Sequence, residues 1–368
     1  MNWHIEHGDS LFVLPAIPEK SASCCVTSPP YWGLRDYGIP FTDWPEVLYS
    51  PMPGIPPVVI PAWRGCLGLE STPEAYVGHI VLIFRKVWQV LKDDGILWLN
   101  LGDCYFGTGG DTGNGPNSCV GPTADAAMPK MGRNEKHKNL AAAGLKPKDL
   151  VGIPWRVAFA LQADGWYLRI DNIWNKLNPM PESVTDRPTK AHEYIFLLTK
   201  SSKYYYDSDA IKEEAKQWTG LSATFQRESG KATKLTIPGQ NKASHRPDRK
   251  REMYPGRIKK DGTKGMPTYA VAPKALSRNK RSVWNVATVN YPGAHFATFP
   301  PKLIEPCILA GSKPGDIIID PFNGAATTGV VSLRLSRRYI GIEHKQQYVE
   351  MSRRRIEDDM PLFNRSSV

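Results

Sequence analysis

The groups best suited to chemistry lie in one short segment, Thr27-Ser28-Pro29-Pro30-Tyr31-Trp32. It directly follows a predicted buried strand, and ligands of parallel sheets bind beyond the carboxyl ends of the strands. Neither proline can donate a backbone hydrogen bond and both have a fixed φ, so the turn is stiff. It offers carbonyl oxygens and the Ser28 hydroxyl as acceptors, with an aromatic ring beside them. This set predicts a site for a planar heterocycle that carries an amine; a rigid strand-to-loop corner is the alternative.

A second segment, Asp320-Pro321-Phe322-Asn323-Gly324-Ala325-Ala326-Thr327-Thr328-Gly329, lies between an apolar strand and a helix. Its small residues let a ligand approach the backbone closely. It has neither the G-x-G-x-x-G pattern of dinucleotide sites nor the lysine of a phosphate-binding loop. Glu343 ends the next predicted strand, 23 residues after Asp320, where a carboxylate can bind ribose hydroxyls. These features favour an adenosyl compound without phosphate, and a generic strand–turn–helix connection is the alternative.

Both segments lie within an alternating series of strands and helices. The apolar patterns predict strands at 3–5, 23–27, 95–101, 167–174, 193–199, 317–319 and 339–342, and helices at 10–16, 76–91, 155–163, 326–336 and 346–357. This alternation predicts an α/β body with a largely parallel sheet. The Pro-rich segment 38–66 and the Gly/Pro/Asn-rich segment 105–147 are predicted to be long surface loops, which often form active-site lids.

The positive charge of the chain is concentrated in one segment. The 47 Lys+Arg and 36 Asp+Glu give a net charge of +11, whereas residues 211–285 alone hold 18 basic and 6 acidic residues, a net +12. Such a segment, with aromatic residues scattered through it, suits a phosphate backbone, and a solvated linker is the alternative. The candidate phosphate-binding residues are Arg249, Lys250, Arg251, Lys259, Lys260, Arg278, Lys280 and Arg281.

Composition excludes several other classes of protein. With 41% hydrophobic and 23% charged residues, the 368-residue chain has an ordinary globular composition. No apolar run approaches the roughly 18 residues of a spanning helix. The six cysteines have no zinc-like or paired spacing, and the polar amino terminus lacks a signal-peptide core. We therefore expect a cytoplasmic protein, without a membrane anchor or a metal site.

Together, the two segments resemble the DNA amino-methyltransferases, which use S-adenosyl-L-methionine. Residues 97–103, 178–183 and 295–300 also match recurring segments of that family. The catalytic segment precedes the cofactor segment, with the basic region between them, as in the permuted β class. The resemblance covers most of the chain except 38–66, 105–147 and much of 207–285.

The resemblance implies a Rossmann-like methyltransferase sheet of seven mostly parallel strands, one of them reversed, with a circularly permuted motif order. Residues 1–206 would form the catalytic half and residues 291–368 the cofactor-binding half. The inserted basic region, residues 207–290, would recognise the target sequence. Duplex DNA is the implied substrate, in a bacterial or phage setting, and the family pattern allows a homodimer and a cognate restriction endonuclease as partners.

By the same resemblance, the catalytic residues are Ser28, Pro29, Pro30 and Tyr31. The cofactor-binding residues would be Asp320, Phe322 and Gly324 at the methionine end, Glu343 at the ribose, Asp9 at the adenine, Phe299 closing the pocket, and also Thr327 and Thr328. The chain departs from the family pattern at Ala326, which stands in place of a glycine.

The implied reaction methylates an exocyclic amine of a base flipped out of the duplex. Ser28 and the Pro29 carbonyl would accept the amine hydrogens, Tyr31 would stack on the base, and no covalent enzyme intermediate would form. A serine at the first motif position favours cytosine N4, and adenine N6 is the alternative. Carbon-5 methylation would need a nucleophile such as Cys307, which is predicted to be a buried helical residue. A DNA-binding protein without activity and an RNA or protein methyltransferase also remain open.

Overall fold

The computed structural model describes residues 2–33, 39–106, 144–214, 253–254, 268–269, 277–289 and 298–359. The chain divides into two compact units, one of residues 1–211 with 281–368 and the other of residues 212–280. Within the second unit, short strand pairs join Glu213–Glu214 to Ser277–Arg278 and Met253–Tyr254 to Thr268–Tyr269. This unit contains fewer residues than the segment 207–290 that the resemblance implies as the recognition region.

The first unit is built on one mixed sheet of eight strands. They are β1 (Trp3–His7), β2 (Ala22–Thr27), β3 (Leu91–Leu101), β4 (Tyr167–Lys176), β5 (His192–Thr199), β6 (Val283–Val286), β7 (Ile317–Asp320) and β8 (Arg338–Glu343). Their order is β1-β8-β7-β2-β3-β5-β4-β6, and only β5 runs antiparallel to its neighbours. The α/β class and the single reversed strand are as predicted.

The predicted strand number is wrong, because β6 adds an eighth strand. This strand pairs parallel with β4 and buries Trp284, whose ring centroid lies 6.0 Å from that of Trp98. The family resemblance places these residues in the basic recognition region, residues 207–290. Four residues inside a basic segment show too little periodicity to indicate a strand. Strand β6 is therefore recognised only from its pairing with β4.

Helices cover both faces of the sheet. They are α1 (Ser10–Val13), α2 (Pro73–Val90), α3 (Ile153–Ala163), α4 (Pro301–Gly311), α5 (Thr327–Arg334) and α6 (Gln346–Asp359). Successive strand residues point to opposite faces. In β2, Cys25 packs in the core that includes α2 and α3, whereas Cys24 and Val26 pack in the core that includes α4, α5 and α6.

The Pro-rich segment is not the irregular loop that its composition suggested. Residues Thr42–Trp44 pair antiparallel with Trp63–Gly65, and Val47–Tyr49 pair with Val58–Ile60. The prolines lie between these short strands, where no ladder hydrogen bond is lost. We call residues 39–66 the nested hairpins. Of the other predicted loop, residues 107–143 lie outside the described residues, so its lid role stays a prediction.

No helix in the described ranges combines the length and the apolar composition that crossing a bilayer requires.

Candidate active site

A cleft that is partly open to solvent lies where β2, β7 and β8 end. The cleft brings together residues that are far apart in the sequence. Eight of the predicted site residues line it: Asp9, Ser28, Pro29, Pro30, Tyr31, Phe322, Gly324 and Glu343.

The Ser28–Tyr31 turn is connected to a polar network on β3 and β5. The Tyr31 hydroxyl lies 2.8 Å from Glu193 Oε2, 3.2 Å from Asn100 Oδ1 and 3.4 Å from Ser28 Oγ. The other carboxylate oxygen of Glu193 pairs with Lys176 on β4. Because the shortest contact is to a carboxylate, the Tyr31 proton is donated to Glu193, and the phenol ring is fixed at the cleft.

Sequence reasoning missed Asn100, Glu193 and Lys176 as site residues. Asn100 lies within a segment that carried the family resemblance, which was the available signal. Glu193 lies in the predicted strand 193–199 and Lys176 lies two residues after the predicted strand 167–174. Neither has a chemical motif around it, so only the antiparallel pairing of β5 with β3 and β4 brings them to the turn.

The backbone of the Ser28–Tyr31 turn is held by its neighbours. The Tyr76 hydroxyl, on α2, donates to the Pro30 carbonyl at 2.8 Å. Within the described chain no donor contacts the Pro29 carbonyl. Of the two proline carbonyls, the Pro29 oxygen therefore stays available as an acceptor in the cleft, next to the Ser28 hydroxyl.

Asp320 is buried behind the cleft and does not line it. Its carboxylate accepts hydrogen bonds from the Thr27 hydroxyl at 2.6 Å, the Thr328 hydroxyl at 2.8 Å and the Phe322 backbone amide at 3.0 Å. Burial raises the pKa of the Asp320 carboxyl to about 6, although these donors oppose the shift. Asp320 and Thr328 thus position the turn, whereas Phe322 and Gly324 line the cleft.

Ala326 and Thr327, in the same segment 320–329, lie at the start of α5. Ala326 precedes α5 in the left-handed region, with φ 54° and ψ 35°, which explains why a glycine is usual there. The hydroxyl of Thr327 accepts a hydrogen bond from the Arg355 guanidinium at 3.0 Å, and this residue does not line the cleft. Phe299, expected to close the pocket, is buried in the core on the α4 face and is absent from the cleft wall.

Two carboxylates line the opposite end of the cleft. Glu343 accepts the backbone amide of Gly324 at 2.8 Å and that of Lys345 at 3.0 Å, and its burial raises the carboxyl pKa to about 7. Asp9 caps α1 by accepting from the Leu11 amide at 2.8 Å. Each carboxylate keeps lone pairs for further donors, such as the hydroxyls or amine of a ligand.

The charge of the cleft restricts which ligand it can hold. Among its lining residues in the described chain, none is lysine or arginine, whereas two are carboxylates. The walls also include the rings of Phe322, Trp44 and Tyr348. Phosphate groups would find no cationic partner here, but a nucleoside with a cationic substituent would find acceptors and aromatic surface. The residues therefore fit an adenosyl compound without phosphate.

The predicted phosphate-binding residues are only partly described. Arg249, Lys250, Arg251, Lys259 and Lys260 lie outside the described residues. In the second unit, Arg278 Nη2 and Lys280 Nζ lie 3.3 and 3.6 Å from the carboxylate of Glu213, and Arg281 is exposed in the first unit. Their role in binding DNA stays a prediction.

Cys307 is buried within α4, and its thiol lies 3.8 Å from the Leu303 carbonyl. It does not line the cleft. The structure confirms the predicted buried helical position, which leaves this thiol without access to a base in the cleft.

Comparison with known proteins agrees with this geometry. A family model described as DNA methylase matches residues 22–354. The type II methyltransferase M.Cfr9I of Citrobacter freundii is 41% identical over 353 residues, covering 96% of this chain and 87% of that protein. M.SmaI of Serratia marcescens is 39% identical over 349 residues, covering 95% of this chain and 89% of that protein.

Solved structures share the fold. The PvuII cytosine-N4-specific DNA methyltransferase matches with a TM-score of 0.54 and 18% identity, over 100% of this chain and 89% of that one. A putative DNA modification methylase from Thermus thermophilus, complexed with S-adenosyl-L-methionine, matches with a TM-score of 0.51 and 18% identity, over 98% and 96% of the two chains. At this identity the likeness concerns the fold alone.

The network around Tyr31 predicts a measurable coupling in stability. Tyr31→Phe and Glu193→Ala should each lower the free energy of unfolding by at least about 1 kcal/mol, because each removes one partner of the same hydrogen bond. The double variant should cost less than the sum, with a coupling energy of about 1 kcal/mol in urea unfolding. Tyr167→Phe removes an exposed hydroxyl and serves as the control. Additive effects of the two substitutions would contradict the shared hydrogen bond.

Gly102 predicts a steric test of the Tyr31 ring position. A Cβ on Gly102 would lie 2.5 Å from Tyr31 Cε2, so Gly102→Ala should cost about 1–3 kcal/mol in unfolding free energy. In a Tyr31→Ala background the clashing ring is gone, and the same glycine substitution should cost almost nothing. An equal cost in both backgrounds would show that the ring lies elsewhere.

Proposed function

The chain belongs to the N6/N4 DNA methylase family and is a DNA methyltransferase, and on that premise we propose that it methylates cytosine N4 in duplex DNA. The methyl donor would be S-adenosyl-L-methionine. The observation that carries this proposal is the shared cleft: the Ser28–Tyr31 turn and the Phe322–Gly324 turn line one cavity, with Glu343 at its edge. Acceptors for an amine thus lie beside a pocket suited to a phosphate-free nucleoside.

The residues around the nucleoside end have separate tasks in this proposal. Glu343 would accept the ribose hydroxyls, Asp9 would accept the adenine amine, and Phe322 would contact the methionine portion. When bound, S-adenosyl-L-methionine supplies an electrophilic methyl group on a sulfonium. The absence of Lys and Arg from the described cleft wall supports a cationic ligand over a phosphorylated one.

The catalytic turn would orient the substrate amine. The Ser28 hydroxyl and the Pro29 carbonyl would accept its two hydrogens, which favours a more tetrahedral nitrogen with its lone pair directed at the methyl group. Tyr31, fixed by Glu193 at 2.8 Å, would stack on the flipped base. The amine nitrogen would gain the methyl group as the carbon–sulfur bond of the sulfonium breaks, and the amine would release one proton to water, so the reaction would need orientation and electrostatics but no covalent link to the enzyme.

The choice of base rests on Ser28. Serine at the first position of this motif favours cytosine N4 over adenine N6, and the buried Cys307 disfavours carbon-5 chemistry. Adenine N6 is the competing outcome, since the remaining site residues would serve either amine.

We assign recognition of the DNA sequence to residues 207–290, in the permuted motif order. Support comes from the net +12 charge of residues 211–285, which suits a polyanion. As the type II names of its relatives suggest, such an enzyme would protect DNA beside a cognate restriction endonuclease, in the bacterial cytoplasm.

Nucleoside mass spectrometry tests the proposal directly. Unmethylated duplex DNA of diverse sequence, treated with the protein and S-adenosyl-L-methionine, should contain N4-methylcytosine. Ser28→Ala should lower the yield by about 10²–10³-fold, since it removes one of the acceptors that orient the amine. Tyr167→Phe, away from the cleft, is the matched control. N6-methyladenine would refute the base assignment, and no methylated base would refute the activity on DNA.

The raised pKa of Glu343 predicts a pH-dependent affinity for the cofactor. Below about pH 7 the free protein holds a proton on this carboxyl, and hydroxyl donors favour the ionised form, so binding must release the proton. The affinity for S-adenosyl-L-methionine should therefore fall as the pH drops below 7, by up to about tenfold per pH unit, and level off above it. Isothermal titration calorimetry without DNA measures this.

Glu343→Gln is the matched variant, because it keeps the shape and removes the titrating group. It should bind more weakly and with a flat pH profile over the same range. A wild-type affinity that stays constant below pH 7 would argue against a role of this carboxylate in binding.

A further inference from the structure

A buried acid–base pair lies outside the cleft, between the nested hairpins and α2. His79 Nδ1 lies 2.9 Å from Glu70 Oε1, and neither side chain is exposed to solvent. The function proposed above gives the pair no task. Nor does it form a metal centre, because no group of three or more His, Cys, Asp or Glu residues in the described chain is arranged to hold an ion.

Hydrogen bonds connect Glu70 to the residues next to the Ser28–Tyr31 turn. Its second carboxylate oxygen accepts the Gly68 amide at 2.8 Å, and its carbonyl accepts the indole N–H of Trp32 at 2.9 Å. The Gly68 carbonyl in turn accepts the Gly33 amide at 2.8 Å. Gly68 has φ +92°, and a Cβ there would lie 3.1 Å from the Tyr31 carbonyl oxygen. Glu70 is therefore tied to the residues that immediately follow Tyr31.

The contacts of His79 explain why an imidazole occupies this position. Its ring stacks on Trp44 and Trp63, with centroids 4.4 and 5.5 Å apart, and its Nε2 has no hydrogen-bond partner in the described chain. A buried polar atom without a partner is costly, and an apolar ring would pack there without that cost. The role of the imidazole therefore lies in its other nitrogen, Nδ1, which bonds Glu70.

The same helix holds the turn at a second point. Tyr76, one turn before His79 on α2, donates to the Pro30 carbonyl at 2.8 Å. The turn is thus connected to α2 twice, directly through Tyr76 and indirectly through His79, Glu70 and Gly68.

We propose that Glu70 and His79 form a positioning dyad for methyl transfer, which fixes the backbone after the Ser28–Tyr31 turn through Gly68 and Trp32. The dyad rests on the proposed function and adds positioning residues to it. Neither side chain touches the substrate. Its effect is to keep the Tyr31 ring and the Pro29 carbonyl at the cleft in the geometry that the amine requires.

An isosteric variant tests the dyad because the carboxylate accepts on both sides. In Glu70→Gln, one end of the side chain is an amide donor. It faces either the Gly68 amide, where two donors meet, or Nδ1 of His79, which moves the ring proton to the partnerless Nε2. Either arrangement weakens the connection without changing the volume of the core.

Two substitutions of His79 separate the hydrogen bond from the packing. His79→Asn places an amide where Nδ1 lies and can keep the bond to Glu70, whereas His79→Leu removes the bond and fills more of the space. His4→Asn, at an exposed position of strand β1, is the matched control. The kcat and the KM for S-adenosyl-L-methionine are measured on duplex DNA, at a temperature where circular dichroism shows each variant folded.

Glu70→Gln and His79→Leu should lower kcat by on the order of tenfold or more, with KM changed less than about threefold. His79→Asn should recover most of kcat, and His4→Asn should match the wild type. A lower melting temperature with unchanged kcat would overturn the dyad, as would equal losses in His79→Asn and His79→Leu.

Hydrogen exchange measured by mass spectrometry separates the dyad from the proposed function. Without DNA or cofactor, Glu70→Gln should speed exchange in peptides that contain the Gly33 and Gly68 amides, by about tenfold, and leave β5 unchanged. Unchanged exchange would overturn the dyad whatever the activity. If exchange changes but the wild type methylates no DNA, the proposed function fails, and with it the role of the dyad in methyl transfer.

Discussion

The 2.6 Å hydrogen bond from the Thr27 hydroxyl to the Asp320 carboxylate joins the ends of two neighbouring parallel strands. One strand leads into the Ser28 turn and the other into the Phe322 turn. A buried carboxylate is costly, and here its three donors offset part of that cost. Because the bond fixes both turns at once, the Ser28–Tyr31 turn and the Phe322–Gly324 turn share one cleft. The rest of the site depends on this constraint.

Helix α2 supports the other side of the cleft. Tyr49, in the nested hairpins, donates its hydroxyl to the Glu74 carbonyl at 2.9 Å, and Trp44 stacks on His79. The hydroxyl of Thr42 bonds Asp9, so the hairpins also contact the carboxylate at the far end of the cleft. The Pro-rich segment therefore builds a wall of the site, with its buried side chains packed on the helix.

The cleft and the basic segment, residues 211–285, carry charges of opposite sign. Carboxylates and aromatic rings line the described cleft, which suits a small cationic nucleoside, while the basic residues are concentrated in residues 211–285, which suits a polyanion. A lysine in the cleft would attract phosphate groups and repel a sulfonium.

The sequence by itself determined the alternation of strands and helices, because burial on one face imposes a period that local residues display. It also determined the two turns, since Pro29 and Pro30 and the small residues after Asp320 restrict the backbone locally. Only the tertiary structure decided that Val283–Val286 is an eighth strand, that Asp320 lies behind the cleft, and that Glu193 bonds Tyr31. These contacts join residues up to 293 positions apart, and they depend on which strands become neighbours. The local pattern of apolar residues indicates which face of a segment is buried. The partner of a buried group is determined only by the order of the strands in the sheet.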